Sequence, residues 1–338
     1  MTDTTTNRPL VTFALFAYNQ ERYVREAVEG AFAQTYEPLE IILSDDCSTD
    51  RTFAIMQDMA DAYEGPHNVR AVRTPRNLGV TSHVLLRGKE ASGELVVVAA
   101  GDDISTPERT AEHSRLYSDN DVLAVSGAFD LIDDQGVLLS KQNTQPISRR
   151  ALQYQRSLFG RLIFPYVVIQ GSTASYRRRL FDLSLPSHPL TMSEDNLFNF
   201  LIYAHGYRVA FVEHSLVRYR VHRQAMSNRP LLDEDLQIRE VRSCEVASRA
   251  IRMMDTFEWI ARDVGPRCPA DLTAIRKRKA HHVERHEWSR LSVLQRVGSI
   301  LKSVGELNVG SLKWKCARVL GTLPNYQPRS SIYRIFRR

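Results

Sequence analysis

Apolar and polar positions follow two alternating periods along the first 120 residues. Short runs that are almost continuously apolar predict buried strands at 10–16, 39–43, 69–72 and 95–99. Between them, apolar positions three or four apart predict amphipathic helices at 20–35, 52–63 and 81–91. Thr106-Pro107-Glu108 is typical of a further helix start. Strands that alternate with helices predict an α/β fold, with a mostly parallel sheet flanked by helices.

The pattern changes after residue 120. Strands are predicted at 122–132 and 137–140, joined by a hairpin turn at Asp133-Asp-Gln-Gly136. A short strand is predicted after Gly171, a helix at 194–205, two strands at 207–212 and 216–221, and mostly helix from 231 onward. This part therefore predicts a second half of different architecture, followed by a helical extension.

Composition excludes several classes of protein. Of the 338 residues, 43% are hydrophobic and 25% charged, as in folded soluble chains rather than disordered ones. The longest uncharged run, 162–176, is too short to cross a bilayer as a helix. The polar N-terminus predicts no secretory signal, and four scattered cysteines without a CxxC pair predict neither a zinc site nor a disulfide framework. We therefore expect a reducing, cytoplasmic location.

Positive charge is concentrated at the C-terminal end. Residues 271–338 contain fifteen Lys or Arg and four Asp or Glu, a net charge of +11, against −5 for the rest. Such a tail fits an anionic membrane surface or a nucleic acid, or is simply a solvated helix surface. Aromatic and aliphatic residues between the last arginines favour peripheral membrane binding. No recognised nucleic-acid motif is present, so no nucleic-acid partner is expected.

Acidic residues follow the ends of two predicted strands. In an open parallel sheet, ligands bind at the carboxyl ends of the strands. Here these ends carry Phe16-Ala-Tyr-Asn19, Ser44-Asp-Asp-Cys-Ser-Thr-Asp50 and Gly101-Asp102-Asp103. The glycine motifs that bind phosphate directly are absent, but carboxylates can reach phosphates through Mg²⁺ or Mn²⁺. The alternative is that these aspartates cap helices.

Two further segments carry candidate chemistry. Ser193-Glu194-Asp195 begins a predicted helix, where acids are stabilised; it could also supply a general base. Alternation in the strand 216–221 predicts that Arg218, Arg220 and His222 share a face suited to a pyrophosphate or its metal.

Taken in order, these motifs resemble the inverting family 2 glycosyltransferases of the GT-A fold. The resemblance covers about residues 9–225. It rests on Tyr18-Asn-Gln-Glu-Arg-Tyr-Val, Ile41-Ile-Leu-Ser-Asp-Asp-Cys-Ser-Thr-Asp-Arg-Thr52, Asn77-Leu-Gly79, Asp102-Asp103, Ser193-Glu-Asp195 and Tyr219-Arg-Val-His222.

The resemblance implies a role for each candidate residue. Phe16, Tyr18 and Asp46 would lie at the base and ribose of a nucleotide-sugar donor, with Asp102 and Arg220 also contributing to its binding. The metal, Mn²⁺ or Mg²⁺, would be held by residues among Asp102, Asp103 and His222. Asp195 would be the catalytic base that deprotonates an acceptor hydroxyl.

Two positions depart from the family pattern. An Asp-x-Asp-Asp motif is common in the family, but this chain has Ala100-Gly-Asp-Asp, which leaves open which remaining aspartate contacts metal. The usual Pro-Thr before Tyr-Asn is replaced by Phe16-Ala17, which leaves the preferred donor open.

The resemblance also sets the expected domains and partners. We expect a GT-A glycosyltransferase domain at 1–228, with a nucleotide-binding half at about 9–120 and an acceptor half at about 121–228. A helical basic region would follow at 229–338. The expected partners are a nucleotide-sugar donor, with a UDP- or dTDP-sugar favoured, and a glycan or lipid-linked acceptor of surface polysaccharide assembly.

Two alternatives remain. A nucleotidyltransferase would also use acidic pairs and metal, but it would usually have a glycine- and lysine-rich N-terminal loop, which is absent from 8–20. A catalytically decayed GT-A scaffold would instead bind partners or membrane through its basic tail.

Overall fold

The computed structural model describes two compact units of the chain. The described residues are 8–143, 169–185, 192–222, 236–265 and 272–288, with the single residues Leu291, Gln295 and Ser299. The first unit comprises residues 1–230 and 256–274, and the second comprises residues 231–255 and 275–338.

The N-terminal half of the first unit alternates strands with helices, as predicted. Its elements are β1 (Val11–Ala17), α1 (Val24–Phe32), β2 (Leu39–Asp45), α2 (Thr52–Asp61), β3 (Asn68–Arg73), α3 (Val80–Glu90) and β4 (Leu95–Ala100). The four strands pair in parallel in the order β3-β2-β1-β4. Side chains on both faces of β1 and β2 are buried, because helices cover the sheet on either side.

The second half extends this sheet with strands of both directions. Its elements are β5 (Ile104–Ser105), α4 (Arg109–Arg115), β6 (Val122–Ile132), β7 (Leu138–Asn143), β8 (Ser175–Arg177), α5 (Glu194–Ala204) and β9 (Arg208–Arg220). The order continues β4-β8-β6-β9-β5, with β7 beside β6. β8 is antiparallel to both β4 and β6, whereas β6 and β9 are parallel. The sheet is therefore parallel in its first half and mixed in its second.

The two strands predicted at 207–212 and 216–221 form one long strand, β9. Its register with β6 shifts where Val212 pairs with Gly127 and Ser215 pairs with Ala128. Glu213 and His214, which lie between these pairs, are exposed. The sequence prediction was wrong here because a β-bulge inserts polar residues without ending the strand.

A buried arginine joins the two halves of the sheet. The Arg109 side chain is fully buried, and its guanidinium donates to the carbonyl oxygens of Val98 (2.7 Å) and Ala174 (3.2 Å). Val98 belongs to β4, and Ala174 directly precedes β8. Burial lowers the pKa of Arg109 to about 9, and the Asp103 carboxylate acts in the opposite direction. Arg109 therefore links the second half of the sheet to β4, the strand that precedes the Asp102-Asp103 motif.

The C-terminal region is helical where it is described. α6 spans Leu236–Val264 and α7 spans Leu272–Trp288. Within the second unit, the Ser248 hydroxyl lies 3.0 Å from His286 Nδ1, and Lys279 forms an ion pair with Asp255. None of the described helices is both long and apolar enough to cross a membrane. Most of the basic tail at 271–338 lies outside the described residues, so its membrane binding stays a prediction.

Candidate active site

The carboxyl ends of β1, β2 and β4 meet at one edge of the sheet. Ala17 pairs with Asp45 of β2, and Phe16 pairs with Ala100 of β4. Just beyond the strands, the amide of Asp46 donates to the carbonyl of Ala17 (2.9 Å). The Asp45-Asp46 and Asp102-Asp103 motifs therefore flank the end of β1, which is where an α/β sheet binds its ligands.

Hydrogen bonds join the loops that follow β1 and β2. The Asn19 amide donates to the Ser48 hydroxyl (2.9 Å), and the Asn19 side-chain oxygen accepts from the Thr49 amide (2.8 Å). Asn19 has a φ of 52°, a left-handed conformation that asparagine tolerates better than most residues. In addition, the Arg51 amide donates to the Glu21 carboxylate (2.9 Å). These contacts fix the backbone on which Tyr18 and Asp46 are carried.

The Asp46 carboxylate organises the loop after β3. One of its oxygens accepts from the Leu78 amide (2.9 Å) and the Thr74 hydroxyl (3.0 Å), and the other accepts from the Gly79 amide (2.9 Å). Asp46 is buried, so these donors replace the water that an ionised carboxylate would otherwise bind. Its predicted contact with a nucleotide stays a prediction, and its structural role is to shape the wall of the site.

An aromatic pair lies at the end of β1. Tyr18 is 45% exposed, whereas Phe16 is half-buried and packs edge-on against His83, with 5.0 Å between ring centroids. His83 Nε2 lies 2.6 Å from the Ser44 hydroxyl, which also accepts from Arg87 Nε (2.8 Å). Burial lowers the pKa of His83 to about 4, so it is a neutral support for Phe16 at physiological pH.

Asp102 is paired with His222. Asp102 Oδ2 lies 3.0 Å from His222 Nε2, and the two side chains are 16% and 5% exposed. The His222 ring packs against Tyr23 of the segment before α1, with 4.6 Å between centroids. The segment after β4 therefore contributes a carboxylate, and the segment after β9 contributes an imidazole that lies in contact with it.

Asp103 has a different environment from its neighbour. It is buried, and its Oδ1 accepts the backbone amide of Arg220 (2.9 Å). Its Oδ2 is buried without a hydrogen-bond partner in the part of the chain that the structure describes. Burial, followed by the charge of Asp102, raises the pKa of Asp103 well above its ordinary value. Of the two aspartates, Asp102 is therefore the more accessible, and Asp103 is the one whose charged form burial disfavours.

The Arg220 guanidinium is buried and bonded to protein groups. It donates to the Glu26 carboxylate (2.8 Å) and to the backbone carbonyls of Asp102 (2.9 Å) and Asp133 (3.3 Å). It also lies over the Tyr23 ring, 5.0 Å from the centroid. These contacts give Arg220 a positioning role for Asp102 and His222, while its predicted contact with the donor stays a prediction.

We expect Arg220→Lys to lower the free energy of unfolding by about 2 kcal/mol, because a lysine cannot reach all three acceptors. Each buried acceptor that loses its hydrogen bond costs about 1–3 kcal/mol. Urea unfolding measures the loss. The matched control is Arg22→Lys, which alters an exposed ion pair with Asp134 and should cost no more than about 0.5 kcal/mol. Equal stability of the two variants would contradict the positioning role.

The donor atoms at the end of β4 fit a divalent cation as a partial set of ligands. Carboxylate oxygen and imidazole nitrogen together suit Mn²⁺, and carboxylate oxygen suits Mg²⁺. Asp103 Oδ2 and His222 Nδ1 are both buried and have no hydrogen-bond partner among the described residues, and both belong to this end of the sheet. Across the described residues, however, no group of three or more His, Cys, Asp or Glu side chains could hold a metal ion by itself. A cation here would need ligands beyond this set.

A second acidic pair begins α5. Asp195 Oδ1 accepts from the Ser193 hydroxyl and from the Asn196 amide (2.7 Å). Burial raises the pKa of Asp195 although these hydrogen bonds, and one from the Gly171 backbone, oppose the shift. Glu194 is buried, and burial together with the Asp195 charge raises the pKa of Glu194 to about 8. Both carboxyls are therefore more basic than ordinary ones.

A four-residue segment lies between the two acidic sites. Gly171 begins it, beside Asp195 and Glu194. Ser172 follows, and its hydroxyl neighbours the Asp103 carboxylate. The segment ends at Ala174, whose carbonyl accepts from the Val98 amide of β4 (2.9 Å). Asp195 and Asp103 are thus connected through a short piece of backbone fixed to the sheet.

Comparison with known families decides the class of the chain. The family model described as glycosyl transferase family 2 matches residues 12–184, just over half of the chain. The chain belongs to glycosyl transferase family 2. The matched residues include all but the first residue of β1 and all of β2 and β4, and thus both strand-end acidic motifs of this glycosyltransferase.

Two related proteins are identical to this chain at about a quarter of the aligned positions. An uncharacterized glycosyltransferase of Haemophilus influenzae is 25% identical over 229 residues, which cover 64% of this chain and 67% of that protein. An uncharacterized protein of Mycobacterium tuberculosis is 25% identical over 266 residues, which cover 74% of this chain and 73% of that protein. The predicted membership of family 2 and the transferase class are confirmed.

Solved glycosyltransferase structures share the fold. S. aureus TarS 1–349 in complex with UDP-GlcNAc has a TM-score of 0.54 at 18% identity, covering 93% of this chain and 81% of that one. The mannosyltransferase PcManGT of Pyrobaculum calidifontis, in complex with GDP-Man and Mn²⁺, has a TM-score of 0.52 at 17% identity, covering 92% and 84%. The predicted GT-A fold is confirmed.

The structure adds residues that sequence reasoning on this glycosyltransferase missed. His83 and Arg87 were hidden in an amphipathic helix, and Glu26 resembled an ordinary surface charge on α1. Arg109 follows a helix start and carries no motif of its own. The signal that could have found Arg109 is its position six residues after Asp103, on the same connection.

Proposed function

We propose that the protein is a metal-dependent, inverting glycosyltransferase. It moves a sugar from a nucleoside diphosphate to a hydroxyl of a glycan or lipid-linked acceptor in the assembly of a surface polysaccharide. The observation that carries the proposal is that two carboxylates of the site, those of Asp102 and Asp195, lie in different environments. Asp102 is paired with an imidazole and partly exposed, whereas Asp195 lies beyond the Gly171–Ala174 segment and has a pKa that burial raises above its ordinary value.

The proposed donor is a UDP- or dTDP-sugar bound at the ends of β1 and β2. Tyr18 offers an exposed aromatic face, Phe16 is braced by His83, and Asp46 shapes the adjoining wall. Aromatic faces bind nucleobases by stacking. Support also comes from the fold neighbours, one bound to UDP-GlcNAc and one to GDP-Man, so GDP-sugars belong in any test.

Asp195 is the proposed catalytic base. An acceptor hydroxyl is a weak nucleophile, and a base that removes its proton as attack begins accelerates the displacement. The raised pKa of Asp195 brings it closer to neutral pH, which strengthens it as a proton acceptor. A single displacement at the anomeric carbon inverts its configuration.

Asp102 and His222 are the proposed metal-holding residues, with Asp103 beside them. A bound Mn²⁺ or Mg²⁺ would offset the negative charge that grows on the departing diphosphate. Arg220 holds the backbone of Asp102 and, through Tyr23, the ring of His222 in place. Arg220 thus sets the geometry of this corner, and its own contact with the donor remains a further proposal.

Donor turnover tests the function. The purified chain is incubated with Mn²⁺ and each of UDP-glucose, UDP-GlcNAc, dTDP-glucose and GDP-Man, and nucleoside diphosphate release is followed. When a glycan acceptor is present, nuclear magnetic resonance of the glycoside formed on its hydroxyl reports the anomeric configuration. We expect release from one donor and an inverted product. A retained configuration would remove the single displacement, and no release with any acceptor or with water would favour a decayed scaffold.

We also propose that the tail at 271–338 binds an anionic membrane surface, which would bring the enzyme to a lipid-linked acceptor. Each basic residue near such a surface contributes about 1 kcal/mol. The triple variant Arg334→Ala, Arg337→Ala, Arg338→Ala should therefore weaken binding to phosphatidylserine vesicles at least about tenfold. Flotation assays measure it, and neutral phosphatidylcholine vesicles are the control. Unchanged binding would exclude these arginines from membrane contact.

A further inference from the structure

We propose that Glu194 is the positioning residue for Asp195: its carboxyl packs over Gly171 and fixes the backbone segment that holds the base. The inference rests on the proposed role of Asp195. It assigns Glu194 a task distinct from proton transfer, although both acids begin the same helix.

Glu194 fills the space that a side chain at position 171 would occupy. A Cβ built on Gly171 would lie only 2.0 Å from Glu194 Oε1, well inside van der Waals contact. The backbone of the same glycine is hydrogen-bonded to Asp195. One helical turn therefore holds Gly171 in two ways, by packing from Glu194 and by a hydrogen bond to Asp195.

The surroundings of Glu194 leave it uncharged at neutral pH. Among the described residues, the charged and titratable groups that interact with it include Asp195, next in sequence, and Tyr176 of β8. The Tyr176 ring packs on Phe198 and Phe181, with 4.6 and 6.0 Å between centroids, so this side is apolar. With its pKa raised to about 8, Glu194 keeps its proton at pH 7. A protonated Glu194 would not compete with Asp195, the proposed base, for the proton of the acceptor.

Substitution at 194 separates positioning from catalysis. Glu194→Gln keeps the size and neutrality of the side chain, so donor turnover should stay within about threefold of wild type. Glu194→Ala removes the packing and should lower kcat at least about tenfold, with the donor KM changed less than about twofold. If Glu194→Gln is as inactive as Asp195→Asn, Glu194 is itself the base and the inference is overturned. Wild-type kcat in Glu194→Ala would equally overturn it.

A double-mutant cycle tests the packing without requiring activity. Gly171→Ala should lower the melting temperature of wild type, because the new Cβ forces the buried Glu194 carboxyl to shift. In the Glu194→Ala background the same change should cost much less, since the space is then empty. Additive shifts would show that the two residues do not pack together. If Glu194→Ala fails to fold, Gly171→Ala and Glu194→Gln still decide the question by turnover.

The pH dependence of stability gives an independent readout. A carboxyl whose pKa is raised by folding stabilises the fold fully below its ordinary pKa, and this contribution is lost as pH rises through the folded value. For Glu194 the loss spans about pH 4.5 to about 8. Glu194→Gln should therefore flatten the fall in melting temperature between pH 5 and 8. An unchanged fall would contradict a protonated Glu194, whereas an enzyme with no transfer activity would contradict the proposed function alone.

Discussion

Replacing Asp195 with asparagine is expected to lower kcat for sugar transfer by about 10²–10⁴-fold, the usual contribution of a general base. The amide oxygen of asparagine can still accept the hydrogen bonds that Asp195 Oδ1 now accepts from Ser193 and Asn196. The local structure should therefore survive while the proton acceptor is lost. Steady-state turnover, with donor affinity measured by calorimetry, separates these two effects.

The matched control is Asp182→Asn. Asp182 is exposed and forms an ion pair with Arg178, four residues earlier in the chain. Turnover of this variant should therefore stay near that of wild type. Donor affinity of Asp195→Asn should change less than about twofold, because the base acts on the acceptor.

In wild type, activity should fall on acidification at a higher pH than an ordinary aspartate would give, since burial raises the pKa of Asp195. Turnover of Asp195→Asn equal to that of Asp182→Asn would remove Asp195 from catalysis.

The second large effect is expected at Asp102. Asp102→Asn replaces an anionic oxygen beside His222 with a neutral one, so the Mn²⁺ concentration for half-maximal turnover should rise at least about tenfold. With the charge balance at the leaving group disturbed, kcat/KM should fall about a hundredfold. Titration of Mn²⁺ into enzyme treated with EDTA measures both quantities.

Asp58→Asn is the control for the Asp102 variant, because Asp58 is an exposed residue of α2. It should require no more Mn²⁺ than wild type. Wild-type enzyme treated with EDTA should lose its turnover and regain it on addition of Mn²⁺. Full turnover in EDTA would show that the reaction needs no metal and would leave Asp102 and His222 with a structural role.

Most of the fold could be predicted from the sequence because the spacing of apolar residues along the chain agrees with the positions that the structure buries. The buried strands β1, β2 and β4 are mostly apolar, and amphipathic helices separate them along the chain. The prediction failed at β9, where the exposed Glu213 and His214 look like a turn but form a bulge. Local pattern cannot show that a partner strand continues on both sides of such a bulge.

The candidate site was predictable only where its residues carry motifs. The strand ends predicted that Asp46 and Asp102 lie near one another, because parallel strands end at the same edge. The contrast between accessible Asp102 and buried Asp103 was not predictable, since it depends on the distant amide of Arg220. The packing of Glu194 on Gly171 is likewise a contact between segments more than twenty residues apart in sequence.

Donor binding at the strand ends is the central claim, and isothermal titration calorimetry tests it most directly. UDP-, dTDP- and GDP-sugars are titrated into wild type and Asp102→Asn in the presence of Mn²⁺. We predict saturable binding of one donor to wild type, weakened at least about tenfold in the variant or when EDTA replaces Mn²⁺. Absence of binding of every donor to a folded wild-type sample would contradict the account and leave a scaffold without a donor site.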